Sequence, residues 1–339
     1  AMTTAYFARP DRGTPIATNE AAMSQHCLTL IDLAASWETH RQPAAETARQ
    51  MRVIAHDLGA LSHVGDPSAL TRGHLRAFHD DLLAHHSRPT ARKMFGLAHA
   101  LLQFGFRVGL LDSNPAQGMT VSASTVAAQP HVPFTPSELT RIFSHPVFTT
   151  QRPPSQRNGA GSAAYWLPLI LLCSGARLRT AASLRTDHLL VSADASAIPY
   201  WQFAPPPGSV KKSEGYRQPV HPILCRLGLL DYAATLPSGS DLFPLLLPDR
   251  AGRRTAGFST YFSRFLRREV SIVEPGKGTD SFRYTFALAC RRAEVPFAHE
   301  CALRGSALPD RWNGDLEWEI PLAVLRKQMA RLTFPGFPL

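Results

Sequence analysis

Lysine is scarce in this chain of 339 residues, and long apolar runs are absent from it. Five of the 36 basic residues are lysine, at positions 93, 211, 212, 277 and 327, so the other 31 are arginine. No apolar run approaches the length that crosses a bilayer, and the first residues lack the charged-then-apolar pattern of a secretion signal. These two absences predict a cytoplasmic protein.

Cysteine is also rare, and its spacing excludes the usual cysteine-based sites. The chain has five cysteines, an odd number, and no two of them have metal-ligand spacing. Most lie in apolar surroundings, which predicts reduced thiols packed in the core rather than disulfides. The five are Cys27, Cys173, Cys225, Cys290 and Cys301. The sequence therefore predicts no metal site.

The net charge is strongly positive, at +10, with a pI near 9.8. Arginine presents a planar guanidinium that binds phosphate through two parallel hydrogen bonds. A surplus of this size favours a polyanionic partner, and nucleic acid is the simplest one. The alternative is compositional, because a GC-rich genome raises the arginine, alanine and proline content together.

The chain is long enough for two domains, each with its own core. Residues 1–24 have little periodicity and are predicted to form a mobile leader. Apolar residues then recur at helical spacing, which predicts a helical domain over residues 25–118. Residues 119–133 have the composition of a linker, and residues 134–339 form the predicted second domain. The helices predicted in the first domain cover residues 28–37, 47–61, 68–84 and 90–108.

The second domain is predicted to be mainly helical with a small antiparallel sheet. Thr135, Pro136 and Glu138 form a capping box that begins a helix ending near Phe143. The Pro-rich stretch 146–160 is predicted to be a loop. Predicted strands cover residues 198–203 and 217–220. Further helices are predicted around residues 166–173 and over residues 223–236, 258–270, 279–293 and 321–332.

An unusual corner lies in the middle of the second domain. The apolar run Leu169–Cys173 leads into Ser174-Gly175-Ala176, and Arg177 follows. Gly175 can adopt a backbone conformation that other residues avoid, so the helix can break there. The simplest interpretation of this stretch alone is a helix–turn–helix corner with a surface arginine.

A second arginine lies more than a hundred residues later, in the segment Thr279–Ala293. It reads Asp280-Ser281-Phe282-Arg283-Tyr284-Thr285-Phe286-Ala287, and Glu294-Val295-Pro296 follows. Together with the Ser174–Arg177 corner, Leu184-Arg185 and Asp187, this segment resembles the two signature boxes of the tyrosine recombinases (phage integrase family). Leu70–Leu83 and Gly109–Gly118 are similar to segments of that family's N-terminal domain. The resemblance spans about residues 25–307.

The resemblance implies a fold and a chemistry. The first domain would be the helical, SAM-like core-binding domain, and the second the α/β catalytic-type domain, so that the two close on double-stranded DNA like a clamp. In the family a tyrosine attacks a DNA phosphate and forms a phosphotyrosyl link, with no metal or other cofactor. Arg177 and Arg283 would hold the phosphate oxygens, and Lys212, or else Lys211, would protonate the leaving oxygen.

The resemblance also implies which other residues bind DNA. We expect contributions from the first domain and from a basic face on the helix near residue 264. The expected DNA-binding residues are Arg177, Lys211, Lys212, Arg283, Arg72, His74, Arg92, Lys93, Arg264 and Arg304. The guanidinium groups of Arg177 and Arg283 are expected to meet in a basic concavity that faces the linker, with the Lys211–Lys212 turn at its rim.

Several catalytic positions depart from the family pattern. The acid expected after the first arginine is Thr180, and the two expected histidines are Asp280 and Ser306. No tyrosine follows Tyr284, and Tyr284 itself is expected to pack in the core. The sequence therefore predicts a DNA-binding protein on a recombinase scaffold that has lost catalysis: a nucleoid-associated bacterial regulator or accessory factor of a mobile element or of DNA recombination.

Two alternatives remain open at this point. One is an active, divergent recombinase that integrates or exchanges DNA with a displaced nucleophile, either Tyr261, Tyr284 or a residue of a partner. The other is a helical protein-interaction module whose arginines reflect composition alone. The amphipathic segment 321–332 could pack on its own domain, or join copies of the chain into a homo-oligomer.

Overall fold

The computed structural model describes residues 28–120, 132–152, 154, 157–194, 196–203, 215–249, 253–306 and 320–338. The chain divides into two compact units, the first within residues 1–43 and 47–123, the second within 44–46 and 124–339. Each unit has its own hydrophobic core. The predicted segments 1–24 and 211–212, and most of the predicted linker, lie outside the described residues.

The first unit is built from helices, as its apolar spacing predicts. Thr29 and Thr71 begin two of these helices with capping boxes, in which each hydroxyl accepts a backbone N–H of the first turn. One face of each helix is buried; Leu33, Leu58 and Leu75 are fully enclosed. The helices are α1 (Leu30–Arg41), α2 (Ala45–Ser62), α3 (Arg72–His85) and α4 (Arg88–Arg107).

The second unit contains ten described helices and one sheet. Thr135 caps the first of these helices through the predicted capping box with Glu138. The helices are α5 (Pro136–Phe143), α6 (Pro146–Thr149), α7 (Ala163–Ser174), α8 (Leu178–Ala182), α9 (Pro222–Arg226), α10 (Leu229–Ala234), α11 (Thr255–Arg268), α12 (Thr279–Arg292), α13 (Phe297–Arg304) and α14 (Leu322–Ala330). All twelve residues of α7 are buried, so α7 is the centre of this core.

The sheet has three antiparallel strands in the order β1-β2-β3. They are β1 (Leu189–Val191), β2 (Pro199–Phe203) and β3 (Tyr216–Pro219). Trp201 pairs with Leu189 on one side and with Gln218 on the other. The described residues therefore confirm a mainly helical chain with one small antiparallel sheet.

Three predicted segments differ from the structure. The helix expected over 68–84 begins only at Arg72, because Thr71 is its N-cap and Pro67–Ala69 form a separate 3₁₀ turn. The stretch 146–160, expected to be a loop, contains the short helix α6, which His145 caps by accepting the Val147 N–H. The helix expected over 223–236 is two helices, α9 and α10, because Gly228 between them has a φ of 83°. A left-handed residue interrupts the hydrogen-bond ladder of a right-handed helix.

The C-terminal helix α14 packs on its own unit. Leu325 and Met329 are buried, and Leu332 and Phe334 continue into the same core. The chain that follows lies against α5, because Thr140 Oγ1 donates to the Gly336 carbonyl at 2.8 Å. The packing on the same chain is one of the two predicted arrangements, and a homo-oligomer through this helix stays a prediction.

The described residues contain neither a membrane-length apolar helix nor a group of three potential metal ligands. The four described cysteines are unpaired. Burial raises the pKa of Cys173 and Cys290, so these thiols stay protonated at neutral pH. They act as packing residues.

Candidate nucleic-acid interface

The corner that carries Arg177 is fixed by Gly175. Gly175 ends α7 with a φ of 63°, and its N–H donates to the Leu171 carbonyl at 3.0 Å. A Cβ at this position would lie 2.6 Å from Cδ1 of Phe286, a fully buried residue of α12. Both the backbone conformation and the packing therefore demand glycine. Arg177 follows as the exposed N-cap residue of α8.

Arg283 on α12 reaches this corner from a distant part of the sequence. Its Nη1 donates to the Gly175 carbonyl at 2.5 Å, and its Nη2 donates to Ser306 Oγ at 3.0 Å. Burial, together with the nearby charges of Arg304 and Arg177, lowers the pKa of Arg283 to about 10. Arg283 therefore stays charged at neutral pH, and it lies within electrostatic range of Arg177.

The end of α13 contributes the third side of the site. Gly305 has a φ of 56°, and the Ser306 N–H donates to the Cys301 carbonyl at 2.9 Å, which completes a Schellman motif. Arg304, just before the glycine, pairs with Glu300 at 2.7 Å. Ser306 stands where a histidine was expected, and its hydroxyl fixes the Arg283 guanidinium.

Gln218 ties these elements together. It is fully buried on β3, and its Nε2 donates to the Ser174 carbonyl at 2.8 Å and to the Leu303 carbonyl at 2.6 Å. These carbonyls belong to the last turns of α7 and α13, where a helix leaves its C=O groups without partners. Gln218 thus holds both helix ends beside β3. Sequence reasoning missed it, because nothing local marks a glutamine with two distant partners.

Tyr216, the first residue of β3, is the second residue that sequence reasoning missed. Its ring stacks on Phe203 with the centroids 4.8 Å apart, and it packs so closely on Gly305 that a Cβ there would overlap the ring. Burial raises the pKa of Tyr216, although the charges of Arg283, Arg177 and Arg304 oppose that rise. Its phenol therefore lies within range of all three guanidinium groups.

Other predicted catalytic positions have separate surroundings. Asp280 is exposed in the first turn of α12, where a negative charge stabilises the helix N-terminus. Thr180 lies inside α8, and its carbonyl accepts the Ser183 hydroxyl. The predicted lysines Lys211 and Lys212 lie outside the described residues.

The two tyrosines considered as displaced nucleophiles differ in exposure. Tyr261 is buried on α11 among Phe258 and Phe265, and burial raises its pKa to about 12. Tyr284 was expected to pack in the core, and this prediction is wrong: 38% of it is exposed. It follows Arg283 on α12, whereas the buried aromatic residues Phe282 and Phe286 lie on the other side of that helix.

The remaining basic candidates lie on helix surfaces. Arg264 is exposed on α11. In the first unit, Arg92 and Lys93 are exposed on α4, whose first turn holds no acidic residue. Two other candidates of the first unit, Arg72 and His74, make hydrogen bonds to the backbone. Arg72 Nη1 donates to the Gln117 carbonyl at 3.0 Å, and His74 Nδ1 accepts the Thr71 N–H at 3.2 Å.

The chemistry of the arginine cluster, defined here as Arg177, Arg283 and Arg304, follows from its donors. Guanidinium groups only donate, and among the described residues Glu300 is the carboxylate that pairs with the cluster, where it balances Arg304. Arg177 and Arg283 therefore leave a net positive charge with unused N–H groups. Within the described residues, this arrangement suits an anion with several acceptor oxygens, such as a phosphate.

Comparison with protein-family models finds no match, and comparison with curated protein sequences finds none. Solved structures do match the chain. The Tn1549 transposon integrase in complex with a circular intermediate DNA aligns with 14% identity and a TM-score of 0.56, covering 83% of this chain and 92% of that one. A lambda integrase (75–356) dimer bound to a COC' core site aligns with 12% identity and a TM-score of 0.56, covering 86% and 100%. These matches confirm the predicted tyrosine-recombinase fold.

Proposed function

We propose that this chain, which has the fold of the tyrosine recombinases and integrases, binds double-stranded DNA and holds a backbone phosphate between Arg177 and Arg283. The observation that carries this proposal is the convergence of two arginines from distant segments on one helix corner. The solved structures of similar fold include integrases in complex with DNA, which supports the same partner.

Arg177 and Arg283 have different parts in this proposal. Arg283 is half-buried and donates hydrogen bonds to the Gly175 carbonyl and to the Ser306 hydroxyl, so part of its hydrogen-bonding capacity is used within the fold. Arg177 is exposed, and no hydrogen bond or ion pair joins its side chain to the described chain. Arg177 is therefore the residue whose removal reports on DNA binding rather than on folding.

We further propose that the first unit contributes phosphate contacts. Arg92 and Lys93 are exposed in the second turn of α4, and the first turn of this helix holds no acidic residue that would offset their positive charge. Arg72 and His74 keep donors available, because each uses only one nitrogen for its structural hydrogen bond. Arg264 and the two lysines Lys211 and Lys212 would add contacts in the second unit.

We also propose that the protein does not cleave DNA. The family mechanism needs a phenol that can attack the bound phosphate, and Tyr261 is buried with a raised pKa. The two positions at which the family has histidines are occupied by Asp280 and Ser306. We propose that the protein acts in the bacterial nucleoid as a regulator or accessory factor of a mobile element or of DNA recombination.

One observation favours a second candidate function. Tyr284 is exposed directly beside Arg283, so a divergent active recombinase could use it as a displaced nucleophile. The two candidates separate on a suicide duplex that traps a phosphotyrosyl link, followed by peptide mapping. We expect no adduct. An adduct at Tyr284 that Tyr284→Phe abolishes would establish the active recombinase instead.

The salt dependence of duplex affinity tests DNA binding. We expect affinity to fall steeply with salt, and Arg177→Ala to weaken binding to all sequences and lower the salt slope by about 1. Arg331→Ala is the matched control, because it removes the same charge from an exposed residue bonded only within its own helix end. Absence of duplex binding at low salt, or equal effects of the two variants, would refute the proposal.

A further inference from the structure

We propose that Tyr216 is a phosphate-binding residue of the arginine cluster, and that its phenol hydroxyl donates to the same phosphate that Arg177 and Arg283 hold. This inference rests on the proposed function and adds to it a residue from a different element of the fold, β3. It also gives the site a neutral donor beside its charged ones.

Contacts on two sides hold the Tyr216 ring in place. Phe203, its partner in the β2–β3 register, stacks on one face at 4.8 Å with an interplanar angle of 24°. Gly305 presses on the ring so closely that no side chain fits between them. The ring is thus held between the sheet and the end of α13, which fixes the direction of its hydroxyl.

Tyr216 also lies against the corner that carries the arginine cluster. Its ring packs on Gly305, which stands between Arg304 and the Ser306 that bonds Arg283, and the charges of Arg283, Arg177 and Arg304 oppose the rise in the pKa of its phenol. No hydrogen bond joins the hydroxyl to the described part of the chain. A half-buried hydroxyl among groups that only donate lacks an acceptor, and a phosphate oxygen would supply one.

The phenol of Tyr216 is protonated at neutral pH, because burial raises its pKa more than the arginines lower it. A protonated phenol donates a hydrogen bond and does not attack phosphorus. Tyr216 therefore takes over the hydrogen-bonding part of the missing histidines without restoring a nucleophile.

The test compares duplex affinity across a salt series for the wild-type chain, Tyr216→Phe, Tyr200→Phe and Arg177→Ala. Tyr216→Phe keeps the stacked ring and removes only the hydroxyl. We expect it to weaken binding about tenfold at every salt concentration, the size of one hydrogen bond to a charged acceptor, with an unchanged salt slope. Tyr200→Phe, the matched control on the half-buried face of β2, removes a phenol hydroxyl outside the arginine cluster and should bind as the wild type does.

Three results would overturn the inference. Wild-type affinity in Tyr216→Phe would show that the hydroxyl contacts no phosphate. A lowered salt slope, as in Arg177→Ala, would show that the phenol only positions the arginines. A phosphotyrosyl adduct mapped to Tyr216 on a suicide duplex would make it a nucleophile. If the wild-type chain itself binds no duplex, the proposed function fails instead, so the two failures are distinguishable.

Discussion

Two helices of the second unit, α7 and α13, end beside each other in left-handed glycines, but their neighbours differ. Gly175 packs on the fully buried Phe286, whereas Gly305 packs on the half-buried Tyr216. Gln218 caps both helix ends, and Arg283 bonds the carbonyl of Gly175 and lies 3.5 Å from that of Arg304. The end of α7 at Gly175 is therefore enclosed by the hydrophobic core, whereas the end of α13 at Gly305 borders the partly exposed candidate site.

The comparison explains why Arg283 tolerates burial. The C-terminal ends of helices carry partial negative charge, and Arg283 lies where two such ends meet. The carbonyls replace part of the water that the guanidinium loses. The chain after α7 contributes the exposed Arg177 to the site. The chain after α13 contributes Ser306, whose hydroxyl orients Arg283.

The largest expected effect is at the enclosed end of α7. Gly175→Ala places a side chain in a left-handed conformation, which costs about 1–2 kcal/mol, and drives it into Phe286, which costs about 1–3 kcal/mol more. We expect the free energy of unfolding to fall by the sum of the two, measured by urea denaturation. A loss no larger than that of Gly305→Ala would contradict the difference between the two ends.

Gln218→Leu should have the next largest effect, because it leaves two buried helix-end carbonyls without their donor. Each orphaned carbonyl costs about 1–3 kcal/mol, but the variant also removes the buried Gln218 Oε1, which has no hydrogen-bond partner in the described chain, and this offsets part of the loss. Gln202→Leu, on the half-exposed neighbouring position of β2, is the matched control and should leave stability nearly unchanged. Equal urea midpoints for the two variants would show that Gln218 does not join the helix ends.

Gly305→Ala should separate stability from binding. The left-handed strain of about 1–2 kcal/mol remains, and the added methyl forces the half-buried Tyr216 ring away from its stacked position on Phe203, a displacement for which the fully buried Phe286 has no room. We therefore expect a modest loss of stability and a loss of duplex affinity similar to that of Tyr216→Phe. A variant that unfolds like Gly175→Ala, or binds duplex like the wild type, would break the comparison.

The smallest expected effect is that of Ser306→Ala. It removes one hydrogen bond to Arg283, worth about 1 kcal/mol, while the Arg283 bond to the Gly175 carbonyl remains. Duplex affinity should fall by a few-fold, with no change of the urea midpoint beyond that amount. A loss as large as that of Arg177→Ala would mean that Ser306 contacts the phosphate itself.

The sequence predicted the site where its determinants are local. The helix break at Gly175 and the arginine after it are contained in a few consecutive residues, and the segment around Arg283 is similar to a known pattern. The helices and the sheet followed from periodicity and capping. Even the break at Gly228 had a visible signal, the glycine itself, which the helical spacing around it outweighed.

The sequence could not predict the parts of the site that depend on long-range contacts. Gln218 bonds carbonyls 44 and 85 residues away, and Tyr216 is defined by its packing on Gly305. The error at Tyr284 has a different cause. Its neighbours Phe282 and Phe286 are buried, but a residue two positions along a helix points to another side.

A structure of the chain bound to duplex DNA tests the central claim most directly. We predict one backbone phosphate with oxygens within hydrogen-bonding distance of the guanidinium groups of both Arg177 and Arg283. The Gly175 and Gly305 corners should keep the conformations described above. Duplex bound with no phosphate at these two arginines would contradict the claim that the paired helix ends form a phosphate site.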